Sequence, residues 1–365
     1  MAAGRAFVFD ARLPRVVFGA GALAQLPHEL ERLGVARAVV LSTPGQRALA
    51  DRVAALLGAR SAGVFAQAAM HVPVEVARAA ADAARRLGAD GAVAIGGGST
   101  TGLGKALALD PGLPVVAVPT TYAGSEVTSG YGLTEAGLKK TARDPRVLPR
   151  VVVYDPELSL GLPLAISVVS MLNAIAHAAE GLYAPDGNPV LDLMAEEGIR
   201  AGAAALDRLQ RDARDVEARG DALVAAWLCG TVLGNTTIGL HHKLCHTLGG
   251  SFDLPHAEVH AVVLPHALGY NAPAVPQAMA KIARALAAAS GDPAPADANG
   301  APAAVFDLGR RHGAPTSLAA IGMRAENLDR ATDLALQNQY PNPRPLERGA
   351  IRALLQRAFD GARPE

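Results

Sequence analysis

The chain predicts an α/β N-terminal region built on a doubly wound parallel sheet, joined to an all-α C-terminal region. Three observations carry that prediction. Short apolar, β-branched runs alternate with helix-spaced segments up to Tyr154. Strand signals stop near Leu164, and Ala-rich helical segments continue from there. The 365 residues, half of them apolar, suffice for two domains with substantial cores. The boundary is placed near Leu160, giving an α/β domain over residues 1–160 and a helical domain over 161–365.

Residues 16–18 read as a strand ending in the turn Gly19-Ala20-Gly21. Residues 21–33 have helical spacing, with Leu23, Leu26, Leu30 and Leu33 on one side. Residues 38–41 form an apolar run of the kind a buried parallel strand makes. Ser42-Thr43-Pro44-Gly45 separates it from a helix over 46–57, and another amphipathic helix covers 74–87. Residues 91–95 make a third buried strand, followed by Gly96-Gly97-Gly98-Ser99 and a helix through Lys105 and Leu109. Strands at 115–118 and 151–154 complete the sheet, and Asp155-Pro156 ends the last one. Between them, residues 120–134 are rich in Thr, Gly and Ser and read as a long loop or hairpin beside the sheet. In the helical region, residues 292–302 and 340–345 read as loops.

Composition excludes several classes. Thirty-four basic and 34 acidic residues cancel, and the basic ones are spread out. Neither nucleic acid nor an anionic membrane is therefore expected as the main partner. The run 223–240 is the most apolar long stretch, but Asn235, Thr236, Thr237 and three glycines interrupt it. It reads as a buried helix, not a membrane span. Cys229 and Cys245 both lie in apolar helical sequence and read as reduced core residues, as in a cytoplasmic protein. The first ten residues, MAAGRAFVFD, lack a basic region followed by an apolar run, so no signal peptide is expected.

Two features carry chemistry. The first is Gly96-Gly97-Gly98-Ser99, between a buried strand and a helix. Backbone without Cβ atoms lets a pyrophosphate approach, and a helix N-terminus supplies N–H donors and partial positive charge. A tight turn would use the same residues; the carboxyl end of a parallel strand is where the phosphate reading gains weight. Lys105, on the following helix, is placed near enough to matter. Ser42 and Thr43, in the first βα turn, stand at a second such end. No acidic residue there would repel a 2′-phosphate, so NADH and NADPH are both open.

The second feature is a set of histidines. Six of ten fall between His241 and His266, and His177 makes a seventh. Asn173 and His177, His242 and His246, and His256 and His260 are spaced four apart, and the first two pairs lie in helical sequence. A lone buried histidine is usually a satisfied core residue, but a concentration of this kind points to a polar pocket for an anionic or carbonyl substrate. With Asp at position 173, the set would suit a divalent transition metal. The residue is Asn, whose neutral oxygen brings no charge to offset an ion. His242-Lys243 also lacks the Glu of HExxH. No metal is expected.

At these residues the chain resembles a known family. Gly96-Gly97-Gly98-Ser99 with Lys105, the run Pro119-Thr120-Thr121-Tyr122-Ala123-Gly124-Ser125-Glu126-Val127-Thr128, His242 with His246 and Gly249-Gly250, and Pro255-His256 are similar to the iron-containing alcohol dehydrogenases. The match runs from about Pro14 to the C-terminus. It implies a fold of the dehydroquinate synthase-like, iron-alcohol-dehydrogenase-like kind, with the N-terminal domain binding a dinucleotide. In that family the metal ligands fall at the positions of Asn173, His177, His242 and His256, so the site here is vestigial. His246 matches a further histidine near the nicotinamide. Departures point to one branch. Gly102 stands where the alcohol dehydrogenases usually carry Asp. Arg143-Asp144-Pro145-Arg146, the segment from Ser251 to His260, and Asn342-Pro343-Arg344-Pro345 are similar to maleylacetate reductases. That resemblance implies a metal-independent homodimer using NADH or NADPH. It would reduce the conjugated C=C of maleylacetate, a small dicarboxylate, to 3-oxoadipate in aromatic compound degradation.

The residues support a scheme for such a reaction. Gly96, Gly97, Gly98 and Ser99 hold the pyrophosphate, and Thr120, Thr121, Ser125 and Thr128 flank the nicotinamide. Hydride addition β to the ketone pushes charge onto its oxygen, and imidazoles stabilise that charge and return a proton. His246 and His256 are placed nearest the ketone, with His242 and Asn173 orienting the substrate and Lys243 a further cation in place of a metal. Tyr122 and Tyr270 are further candidates, with core packing the plainer role. Lys139, Lys140, Arg143 and Arg146 read as a solvated basic loop, or as an attractor of the dianion and cofactor, with Lys140 assigned to the cofactor. Two rivals stand beside this reading: a metal-dependent alcohol dehydrogenase acting on a carbonyl, and a non-catalytic dinucleotide-binding protein.

Overall fold

A computed structural model describes residues 7–135, 138–291, 300–337 and 340–364, with only the main chain of Leu138 and Lys139. Contacts divide the chain into two compact units. One comprises Leu13–Leu162 with Arg214–Leu223; the other comprises Pro163–Ala213 and Val224–Glu365, with the described part of the first twelve residues.

The first unit holds a six-stranded parallel sheet. Its strands are β1 (Arg15–Phe18), β2 (Ala38–Leu41), β3 (Ser61–Phe65), β4 (Gly91–Gly96), β5 (Val115–Pro119) and, after a hairpin β6 (Gly130–Glu135) and β7 (Leu138–Arg143), β8 (Val151–Tyr154). The spatial order is β1-β8-β5-β4-β2-β3. Helices α1 (Leu26–Arg32), α2 (Arg47–Leu57), α3 (Val74–Arg86) and α4 (Gly98–Leu109) cover both faces. The alternation of side chains along each strand explains why. Val40, Val93, Ile95, Val116 and Val118 face one way, with Leu26, Leu30 and Val53 of α1 and α2. Val39, Leu41, Ala92, Ala94 and Val115 face the other way, with Ala80, Ala84, Leu103 and Leu107 of α3 and α4. Each fully buried aliphatic chain contributes about 1.5–3 kcal/mol.

Several expectations need correction here. Strand β3 was not among the expected strands: Ser61, Ala62 and Gly63 carry no apolar run, and the edge pairing with β2 makes them a strand. Residues 22–25 form a 3-10 turn, so α1 is shorter than 21–33. The hairpin beside the sheet covers 130–143, so Lys140 and Arg143 lie on β7 and not in a loop.

The second unit is helical: α5 (Leu164–Gly181), α6 (Pro189–Arg211), α7 (Val216–Gly234), α8 (Leu240–Phe252), α9 (His256–Asn271), α10 (Pro276–Ser290), α11 (Ala301–Arg311), α12 (Leu328–Leu336) and α13 (Arg348–Asp360). Helix α7 starts in the residues that group with the sheet. Leu244, Leu248, Val259, Val263, Leu328, Ile351, Leu354 and Leu355 form one core among α8, α9, α12 and α13. The 223–240 run is not one helix. It stops at Gly234, where Asn235 Nδ2 and Thr236 Oγ1 donate to the carbonyls of Thr231 and Val232 at 2.9 and 2.8 Å. These side chains satisfy the last carbonyls and end the helix. Among the described residues, the helix long and apolar enough to span a bilayer is α5 instead, and 83% of that window is buried inside the fold. Cys229 and Cys245 are free and buried. Of the loop expected at 292–302, residues 292–299 lie outside the described residues, and Pro302 belongs to the first turn of α11. Residues 340–345 are a non-helical strap, held by Asn342, whose amide exchanges hydrogen bonds with Asn271 at 3.0 and 2.8 Å.

Candidate active site

Three helices of the second unit supply the histidines. On α5, Asn173, His177 and Glu180 follow at i, i+4 and i+7 and share one face. On α8, His242 and His246 are one turn apart. Pro255 caps α9, so His256 opens that helix and His260 lies one turn on. The third pair is thus helical as well.

The rings meet. His177 and His242 stack with centroids 5.2 Å apart, and His260 lies 5.2 Å from His242 and 4.6 Å from His256. His246 is 6.2 Å from His242 and 6.5 Å from His256. Of the expected residues, the structure gathers His177, His242, His246 and His256, and it sets Asn173 one turn from His177. Lys243 Nζ stands 5.7 Å from the Tyr340 ring centre.

Four further residues complete it. Glu180 is buried and accepts from His241 N at 2.8 Å and bonds His242 Nδ1 at 2.5 Å. His241 Nε2 and His260 Nδ1 are 2.9 Å apart, and Cys245 Sγ lies 3.7 Å from His241 Nε2. The i+3 spacing of Glu180 from His177 was the only sequence signal for it.

Electrostatics follow from burial. Desolvation, with the neighbouring imidazoles adding to it, holds His177, His241 and His260 well below the ordinary imidazole range. These rings are neutral near pH 7. Asn173 Oδ1, His177 Nδ1, His242 Nε2 and His260 Nε2 are buried without a partner. Orphaned atoms are rare and call for a guest. A dication would find nitrogen donors but no negative ligand in the set Asn173, His177, His242 and His256, so the fit to a metal is poor in charge.

The first unit presents a second site. Strands β2 and β4 are parallel neighbours, and their connections run to opposite sides, β2 toward β3 and β4 toward β5. Their carboxyl ends therefore flank the topological switch point, where open α/β sheets bind ligands. The loops touch there. Thr43 Oγ1 donates to Gln46 Oε1 at 3.4 Å, Gln46 Nε2 to Thr120 Oγ1 at 2.9 Å, and Thr120 N to the Gly96 carbonyl at 2.9 Å. A Cβ on Gly97 would stand 3.0 Å from Thr121 Cγ2. Gly97 gives α4 no side-chain cap, so its first N–H groups face the Gly98-Ser99 end unblocked. Ser42 Oγ, Thr100 Oγ1 and Ser125 Oγ are buried without a partner. Bare backbone, unpaired hydroxyls and an uncapped helix start suit a pyrophosphate. Gln46 was missed, because a helix-forming amide carries no motif.

Other expectations shift. Lys105 turns away from the glycine loop; Nζ donates to Thr128 Oγ1 at 2.9 Å and to the Gly130 carbonyl at 2.5 Å. Thr128 Oγ1 in turn donates to Ser125 O at 3.0 Å. Lys140 is exposed and pairs with Glu135 at 3.1 Å, and Arg146 bonds Asp144. The Lys139 side chain lies outside the described residues. Tyr122 OH accepts from the buried Arg219 at 2.8 Å, and Tyr270 OH donates to the Pro345 carbonyl at 2.5 Å, so both are structural.

A doubly wound sheet with a glycine loop at its switch point, and a helical unit lined with imidazoles, define an oxidoreductase of the two-unit dehydrogenase type. Residues 14–156 match the family model "Iron-containing alcohol dehydrogenase", and 167–359 match "Fe-containing alcohol dehydrogenase family, C-terminal". The chain belongs to the iron-containing alcohol dehydrogenase family, as the resemblance implied. Maleylacetate reductase of Burkholderia cepacia is 63% identical over 359 residues, covering 98% of this chain and 99% of that protein. The maleylacetate reductase of Pseudomonas sp. (strain P51) is 57% identical over the same shares. The crystal structure of maleylacetate reductase from Agrobacterium tumefaciens superposes with TM-score 0.91 at 54% identity, covering 99% of this chain and 100% of that one.

Proposed function

We propose that the protein reduces the carbon–carbon double bond of maleylacetate to give 3-oxoadipate, using NADH or NADPH. The observation that carries this is near-full-length identity above half to proteins of that activity. The unpartnered polar atoms of the imidazole cluster agree with it.

A bound reduced nicotinamide would supply the hydride. Gly96, Gly97, Gly98 and Ser99 hold its pyrophosphate at the start of α4, Ser42 and Thr43 border it, and Thr120, Thr121, Ser125 and Thr128 lie toward the nicotinamide end. His246 and His256, the less buried rings of the cluster, meet the ketone. They donate hydrogen bonds to its oxygen as charge gathers there after the hydride adds at the β-carbon, and one of them delivers a proton to the α-carbon of the resulting enolate. His242, His177 and Asn173 orient the substrate. No step passes through a metal, because the amide of Asn173 brings no charge. The chain works as a homodimer in the cytoplasm, where its two free thiols stay reduced.

The test is loss of reduced-nicotinamide absorbance when maleylacetate is added, with each cofactor in turn. Turnover with at least one is expected; none with maleylacetate or its chlorinated derivatives sinks the reading. One observation favours a second reading, a metal-dependent alcohol dehydrogenase: His177 Nδ1 and His242 Nε2 are unpartnered and nitrogen-donating, with Glu180 behind His242. Metal analysis decides between them. Stoichiometric Fe²⁺ or Zn²⁺ whose removal abolishes turnover would support the second.

A further inference from the structure

We propose that Glu180 is a positioning residue that fixes which nitrogen of His242 faces the substrate; this rests on the reductase reading above. The carboxylate divides its two oxygens between consecutive residues of α8. Oε1 accepts the backbone N–H of His241 at 2.8 Å. That group belongs to the first turn of α8, and its N-cap Gly239 offers no side-chain bond. Glu180 thus caps α8 from another helix. A Cβ on Gly239 would stand 3.3 Å from Glu180 Oε1 and 3.1 Å from the Pro341 carbonyl, so glycine keeps this approach open.

Oε2 meets His242 Nδ1 at 2.5 Å. With Oε2 accepting, as Oε1 does from the His241 N–H, Nδ1 carries the hydrogen. The ring then presents Nε2 to the cluster. That nitrogen is buried without a partner, as are Asn173 Oδ1, His177 Nδ1 and His260 Nε2 around it. Any proton that His242 exchanges with a guest passes at Nε2. The arrangement is rigid because the His241 N–H is part of a helix and cannot turn to suit another acceptor.

Glu180→Gln exploits that rigidity. Its amide oxygen must serve the His241 N–H, leaving the NH₂ group toward His242 Nδ1. A donor there forces Nδ1 to accept and moves the ring hydrogen to Nε2. Imidazole ¹⁵N shifts of the full-length protein report this directly, with the His242 signals identified by their loss in His242→Asn. The wild type is expected to show Nδ1–H with bare Nε2, and Glu180→Gln the reverse. Turnover with maleylacetate should fall by about 100-fold or more, while the cofactor dissociation constant stays within about twofold. Glu180→Asp should recover part of that loss. A merely structural role would lower thermal stability and leave the tautomer of the folded protein unchanged. Hydrogen on Nε2 in the wild type overturns the proposal, even if the variant does not fold. So does wild-type turnover in Glu180→Gln. Inert wild type with the Nδ1–H signature would instead count against the maleylacetate reading alone.

Discussion

Lys105, fully buried on α4, donates from Nζ to the hydroxyl of Thr128, 23 residues on, at 2.9 Å. The bond ties the helix that begins at the glycine loop to the segment between β5 and the hairpin. Burial pushes the ammonium down to about 7, with Glu126 opposing and Arg143 adding to the fall. Between about pH 7 and the ordinary lysine value near 10.5, the unfolded chain binds one proton more than the folded one. Stability from this group therefore rises with pH across that window, by up to about 1.4 kcal/mol per unit. Denaturant titrations at pH 7 and 9.5 should show wild type gaining on Lys105→Met. Parallel slopes would contradict the buried amine.

The imidazole cluster acts in the same direction at lower pH. Burial depresses His177, His241 and His260, so the folded protein keeps them neutral while the unfolded chain protonates near pH 6.5. Their contribution is complete above that pH and is lost as pH falls below it. Midpoints of urea unfolding should drop steadily from pH 6.5 to 5. The drop should be smaller in His260→Asn.

At Gly102, a Cβ would stand 2.7 Å from Val72 Cγ2. Val72 has φ +47°, following His71 at φ +62°, so the segment is already held in a conformation β-branched residues avoid. It has little room to retreat. Gly102→Asp should destabilise the protein by about 1–3 kcal/mol. A melting temperature equal to wild type would show that the segment yields.

At Gly98 the situation reverses. An added Cβ meets nothing closer than Ala123 Cβ at 3.8 Å, so the fold tolerates alanine. The methyl would occupy space at the start of α4 that a pyrophosphate needs. Unchanged melting with a KM for NADH or NADPH raised at least tenfold is the expected pair of results. An unaltered KM would move the cofactor away from this loop.

His246→Ala should lower kcat by roughly 100-fold or more with cofactor affinity retained. Its ring lies at the open side of the cluster, stacked on His256 at 6.5 Å. Undiminished turnover would shift the proton chemistry to another ring.

The strands β2, β4, β5 and β8 were legible because buried parallel strands are unbroken apolar runs. The edge strand β3 was not, since its Ser, Ala and Gly carry no such run and only pairing with β2 makes them a strand. The histidine spacing announced a polar site, because residues four apart share a helix face whatever the helix packs against. Lys105 next to a glycine loop suggested phosphate contact; the tertiary fold sends its side chain to Thr128.

The amino-acid order alone determined the family, the parallel sheet and the concentration of imidazoles, all of which rest on local pattern. Glu180, His241 and Gln46 found their bonding partners through packing. Each makes its decisive bond to a residue far along the chain or on another helix. Hydrogen-bond partners of that kind depend on how elements are brought together, and local sequence carries no record of it.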